Sequence, residues 1–229
     1  MSRLFSSWWI TVLSMFLSIW VYQENMGWKF AAGFVLLILV HEMGHVVAAL
    51  RFNLRSSPPI FVPYLGALIL IRDRTQNAWI EAIVGIGGPL FGTIGAAVCY
   101  LVHVYTGQTW WATLAYYGFM LNLFNLAPVG FLDGGRIVTA ISPWLWIVGY
   151  LLMIAYGVLV WRQTGTLPQL LVFVLILGLP RLFSLFRERT PEMNRFFNIE
   201  PGQRWSMGAA YIGLVVLLSL GMYLSAPKL

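Results

Sequence analysis

The sequence predicts an all-α polytopic membrane protein of about six to seven transmembrane helices, with a small membrane-associated β-hairpin between the second and third. Three observations lead there. Hydrophobic residues make up 59% of the 229-residue chain and charged residues only 10%, where a soluble domain carries about a quarter charged residues. The apolar residues fall in uncharged runs of ~20, the length that crosses a bilayer as a helix. One stretch, between the second and third runs, carries too many prolines to be helical.

The runs lie near Leu4–Tyr22, Lys29–Leu50, Ala78–Tyr105, Thr109–Ala127, Pro143–Trp161, Leu167–Phe186 and Ser206–Leu224. The first follows Arg3 as a secretory signal would. It is long and bulky, with Trp8, Trp9, Phe16 and Trp20, and has no small-x-small cleavage site, so it reads as a retained span. The second is apolar on every side except at His41, Glu42 and His45, whereas a surface helix of a soluble enzyme would show a polar face. No long repeat is present, and the longest polar stretch, 187–204, is too short to fold alone. The chain 1–229 therefore reads as one integral-membrane domain, with a core over about 29–141 and further helices over 4–22 and 143–224.

With the N-terminus in the cytosol, all but Lys29, Arg162 and Lys228 of the 14 Lys and Arg residues fall on the cytosolic side, as basic loops prefer. The net charge of +6 then reports orientation rather than a nucleic-acid partner, and the lipid bilayer is the surrounding partner. The single cysteine, Cys99, excludes a disulfide framework and a cysteine-based metal cluster. It reads as a small apolar side chain. His103 and most of the Trp residues suit membrane interfaces.

The non-helical stretch is Arg55–Arg74. Pro58, Pro59 and Pro63 discourage a helix. Two short apolar runs, Ile60–Tyr64 and Ala67–Ile71, flank Leu65-Gly66 and predict two strands joined by a turn. Backbone of this kind at membrane depth must be buried in protein or face water, which places the segment beside a cavity. Asp73, flanked by Arg72 and Arg74, reads as an ion-paired loop residue.

The chemistry sits on the second run. His41 and His45 are four apart, so a helix puts both imidazoles on one face, able to share a metal. Glu42 adjoins the first of them. A Zn²⁺ there would lower the pKa of a water toward ~7, and the carboxylate could take its proton. Ionisable groups inside a bilayer are costly without partners and a function. A catalytic zinc usually has three protein ligands. Glu24 lies on the wrong side, and Glu188, Glu192 and Glu200 lie in a solvated stretch. Glu81, opening the third run, and Asp133 remain. Asp133 follows a span interrupted by Pro128, Gly130, Gly134 and Gly135, and broken helices in membranes commonly line sites. In the orientation above, the second and fourth runs both travel inward, toward one side.

Three motifs together resemble the site-2 protease family of intramembrane zinc metalloproteases: HEMGH at His41–His45, GGPL at Gly87–Leu90 and NLAPVGFLDGG at Asn125–Gly135. The resemblance implies one Zn²⁺ per chain held by His41, His45 and Asp133, with Glu42 as general base. It implies that Asn125 donates to the substrate carbonyl or the developing oxyanion. The implied substrate is a transmembrane protein, of single-span type, cut in or near its membrane segment. The implied location is a prokaryotic inner membrane with the active-site opening cytosolic. Arg55–Arg74 is similar to the family's membrane-associated hairpin, whose free edge would pair with an unwound substrate; proline at Leu68 or Leu70 would probe it. The chain departs from the family at Phe91-Gly92, where a polar residue is frequent, and is expected to be a minimal form without PDZ or CBS modules. Two alternatives stay open: a membrane zinc protease of another class with Glu81 as third ligand, and a zinc-binding transporter or scaffold. Transporters usually show repeated halves, and none is found here.

Overall fold

The computed structural model describes residues 2–73, 75–187 and 190–227, with backbone alone for 2–7. Arg74, Arg189 and Lys228, used above for orientation, and Glu188 lie outside the described residues.

The helices are α1 (Ser2–Met26), α2 (Trp28–Arg51), α3 (Ala78–Thr106), α4 (Thr109–Asn125), α5 (Asp133–Ile141), α6 (Leu145–Thr164), α7 (Gln169–Phe183), α8 (Pro191–Phe197) and α9 (Pro201–Ser225). A hairpin of β1 (Ile60–Val62) and β2 (Gly66–Leu68) separates α2 from α3. Each apolar run falls on a helix. Among the described residues, α2, α3, α6, 169–186 and α9 are the five helices long and apolar enough to cross a membrane. The fourth run stops short of expectation: α4 is 17 residues long and ends at Asn125. Pro128 disfavours helical backbone just before it and cannot donate to a continuing ladder.

The chain forms two compact units, one of Met1–Arg74, Gly87–Phe124 and Leu214–Leu229, the other of Thr75–Ile86 and Asn125–Gly213. In the first, Gly27 (φ 76°) turns α1 into α2, a left-handed conformation that glycine adopts without Cβ strain. Tyr22, Ala31, Val35, Ile38 and Phe61 form a buried cluster joining α1, α2 and the hairpin. α2 and α3 meet backbone to backbone: a Cβ on Gly44 would strike the carbonyl of Gly87, and one on Gly87 would lie 2.9 Å from Cβ of Ala48. Lipid tails supply no hydrophobic drive between helices, so small residues that permit close packing decide where they associate.

The hairpin is antiparallel, with Ile60 opposite Leu68, Phe61 opposite Ala67 and Val62 opposite Gly66. Leu65 N–H donates to the Val62 carbonyl at 3.1 Å. Pro63 and Tyr64 (φ 66°) occupy the central positions of a type II turn, two residues earlier than the expected Leu65-Gly66. Proline suits the first central position, and the second requires positive φ. Tyr64 is an unusual occupant there, and its N–H donates to Tyr22 Oη at 2.9 Å. Phe61 N–H donates to Ser14 Oγ at 3.1 Å, so α1 occupies the outer edge of β1. At the hairpin base Asp73 is ion-paired as expected, and a partner among the described residues is Arg55. Arg55 Nη2 lies 2.7 Å from Oδ1, and Arg55 N–H donates to Oδ2 at 2.7 Å. The guanidinium holds the Asp73 carboxyl down at about 2.

In the second unit the chain between α4 and α5 is fastened by hydrogen bonds to its carbonyls. Tyr211 Oη–H donates to Leu126 O at 2.6 Å, and Trp146 Nε1–H to Gly135 O at 2.8 Å. Gly134 and Gly135 have no room for a side chain, because a Cβ on either would press on the carbonyls of Leu126 and Val129. Arg204 donates to Ile141 O at 3.0 Å and to Phe197 O at 2.8 Å, a cation at the C-terminus of α5, where the helix dipole favours it.

Candidate metal centre

His41 and His45 lie in the second half of α2 and are 4% and 6% exposed. Their imidazoles cross edge to face, with the two Nε2 atoms 3.2 Å apart. Two nitrogens bound to a tetrahedral Zn²⁺ at ~2.0–2.1 Å are about 3.3–3.4 Å from each other, so the pair is spaced to share one ion. Glu42, between them in sequence, is also buried, at 7% exposed.

The rings are held from two sides within the first unit. His41 Nδ1 is 2.7 Å from Asn122 Oδ1, and Asn122 Nδ2–H donates to the Gly118 carbonyl, one helical turn back on α4, at 2.7 Å. On the α3 side stands Gly88. A Cβ there would collide with His45 Nε2 and lie 2.8 Å from His41 Nε2. One turn on, a Cβ at Gly92 would collide with Asn122 Oδ1. Glycines at 88 and 92 thus clear the space that the imidazoles and their amide occupy.

Asp133 is the first residue of α5 and is buried. A carboxylate suits a helix N-terminus, where unpaired N–H groups and the dipole favour negative charge. Its Oδ1 is 3.8 Å from Arg136 Nη1. The candidate metal ligands are thus two imidazoles in the first unit, His41 and His45, and one carboxylate in the second, Asp133, all buried, residue types that suit zinc. Glu81, the other carboxylate considered, lies 2.8 Å from Arg181 Nη2. That arginine also donates to Thr139 Oγ1 at 3.0 Å and stacks on Trp146, which gives Glu81 a structural partner of its own. Asn125 ends α4 and is half-buried. Asn122 escaped the sequence reading. The available signal was an amide one turn before Asn125 in an otherwise apolar helix. His103 sits near the end of α3 and pairs through Nδ1 with the Gln108 carbonyl at 3.0 Å.

Residues 29–109 match the family model of peptidase family M50. Three relatives are similar over about half of this chain. "Zinc metalloprotease MJ0392" of Methanocaldococcus jannaschii is 28% identical over 140 residues, 58% of this chain and 40% of the relative. "Stage IV sporulation protein FB" of Bacillus subtilis is 26% identical over 110 residues, 45% of this chain and 37% of the relative. "Putative zinc metalloprotease Rip3" of Mycobacterium tuberculosis is 30% identical over 139 residues, 55% of this chain and 34% of the relative. The chain therefore spans about two fifths or less of each relative's length.

Proposed function

We propose that this integral-membrane chain, whose residues 29–109 match the family model of peptidase family M50, carries out zinc-dependent hydrolysis of a peptide bond in or near a transmembrane segment of a membrane-protein substrate. The observation that carries this reading is the histidine pair, with Nε2 atoms 3.2 Å apart beside a buried glutamate in an otherwise apolar helix. His41, His45 and Asp133 would hold the metal. Zinc, when bound, supplies a Lewis acid that lowers the pKa of a water toward ~7 and polarises the scissile carbonyl.

The chain's own groups do the rest. Glu42 takes a proton from the attacking water as its oxygen bonds to the carbonyl carbon. It then delivers that proton to the amide nitrogen as the C–N bond breaks, so acid and amine leave with the proton count balanced. The Asn125 amide donates to the carbonyl oxygen as negative charge develops there. The low local dielectric of a buried site strengthens each of these interactions. The substrate is of single-span type, in a prokaryotic inner membrane, with the site opening to the cytosol.

A transmembrane helix hides its carbonyls in its own ladder, so a protease needs an unwound stretch. The hairpin offers an edge for one. Phe61 N–H points away from β2 toward Ser14, so by alternation Ile60 and Val62 face β2, and Leu68 faces back. Leu70 N–H likewise donates inward, to Ser57 Oγ at 3.0 Å. Ala67 and Ile69 therefore carry the outward N–H groups. Proline at Leu68 or Leu70 would break the hairpin itself, and proline at Ala67 or Ile69 is the probe of the edge.

The test is cleavage of a reporter transmembrane substrate in proteoliposomes. Glu42→Gln is expected to keep stoichiometric zinc and lose cleavage; unchanged cleavage would end the reading.

A further inference from the structure

We propose that Asn122 is the positioning residue that fixes the tautomer of His41 and so aims a lone pair on Nε2 at the metal. The inference rests on the zinc reading above and deepens it. It begins from the Asn122 amide, which is 1% exposed. The Gly118 carbonyl can only accept, so the atom 2.7 Å from it must be the amide nitrogen. The oxygen of the same amide is then the atom facing His41 Nδ1 at 2.7 Å. A carboxamide oxygen only accepts, so Nδ1 carries the proton. A neutral imidazole has one N–H, and Nε2 is left with the lone pair. That nitrogen is the one 3.2 Å from His45 Nε2.

The reverse tautomer has no comfortable arrangement. Turning the amide over would set its oxygen against the Gly118 carbonyl, two acceptors at hydrogen-bond distance in a buried place. Nor can the amide retreat toward α3, because its oxygen and nitrogen already fill the space where a Cβ on Gly92 would stand. The lock is thus built from α2, α3 and α4 alone: a helix carbonyl orients an amide, the amide orients a proton, and the proton selects the nitrogen that binds. Free imidazole divides itself between two tautomers, so fixing one spares that cost at each binding event. Loss of an outer-shell hydrogen bond of this kind typically weakens metal affinity by ~10–100-fold.

The experiment compares the full-length protein with Asn122→Leu, Asn122→Asp and His41→Ala, each purified in detergent and shown to unfold cooperatively. Zinc affinity is measured by chelator competition. The tautomer is read in the metal-free protein by nitrogen NMR with labelled histidine, where only 3 histidines contribute signals. In the wild type, the signal that His41→Ala removes is expected to show a protonated Nδ1. Asn122→Leu, similar in shape, is expected to lose that signature and weaken zinc by ~10–100-fold. Asn122→Asp still offers an oxygen to Nδ1–H and is expected to recover most of the affinity. A wild-type His41 protonated on Nε2 would overturn the proposal by itself, as would Asn122→Leu with wild-type affinity. Equal zinc loss in both Asn122 variants with the tautomer unchanged would show a merely interhelical bond and overturn it too. Full zinc binding in His41→Ala would instead sink the zinc reading beneath it, so the two failures are distinguishable.

Discussion

Gly88→Ala tests whether the imidazoles stand against α3. The added methyl would lie 2.8 Å from His41 Nε2 and 2.5 Å from His45 Cε1, where ordinary contact begins at 3.4 Å. One ring must move by ~0.6 Å and the other by at least ~0.9 Å, and metal–ligand distances tolerate about 0.2 Å. Neither escape route is open. Backbone contact between Gly44 and Gly87 fixes the separation of α2 and α3 just before this point, and His41 is tethered to Asn122 at 2.7 Å. Zinc affinity should fall by at least the ~10–100-fold typical of losing one outer-shell partner, read by chelator competition on the purified protein. Gly208→Ala is the control: nothing lies within 4 Å of its Cβ, and a helix interior gains ~0.5–1 kcal/mol from the exchange, so that variant should bind zinc as the wild type does and melt slightly higher. A Gly88→Ala protein that is folded and keeps wild-type zinc affinity would refute the geometry argued for the pair.

Asp133→Ala should abolish stoichiometric zinc, whereas Glu81→Ala should spare it and lower the melting temperature by stranding Arg181; metal analysis and a thermal scan separate the two. Ala67→Pro or Ile69→Pro should impair cleavage with zinc retained, and full activity in both would remove the hairpin edge from the mechanism. Tyr22→Phe should raise hydrogen exchange at Tyr64, whose N–H donates to that hydroxyl. The Asp73 carboxyl titrates at about 2 rather than 3.8 because of Arg55. A folded-state value below the unfolded one adds stability above the unfolded value that fades as pH falls through the folded one. Protection at the hairpin base, taken relative to the intrinsic exchange rate at each pH, should therefore fall between about pH 4 and pH 2 in the wild type, and in Asp73→Asn it should stay constant over that window.

The helices were legible because apolar runs of membrane length can hardly be anything else, and the histidine pair because its spacing makes sense only on a helix. The hairpin was legible from Pro63 and its flanking apolar runs, but its turn was misplaced by two residues. Gly66 takes the positive φ that the sequence offers it (92°), but Tyr64 takes one as well (66°), and the fold supports it with a hydroxyl from Tyr22, 42 positions earlier. Arg55 as a partner of Asp73 was hidden for the same reason, since the two lie 18 positions apart and only strand pairing brings them together. Asn122 was invisible because an amide in a largely apolar helix has many explanations, and only the Gly118 carbonyl and the His41 ring select one.

The two α1 hydroxyls on the hairpin have a practical consequence. Ser14 and Tyr22 take the outward N–H groups on the β1 side, so a strand can join this hairpin only along β2. A peptide bound there uses one of its own edges and leaves the other idle. A synthetic blocker could then carry N-methyl groups on every idle amide with no loss of pairing, and those same methyls would prevent it from stacking with copies of itself.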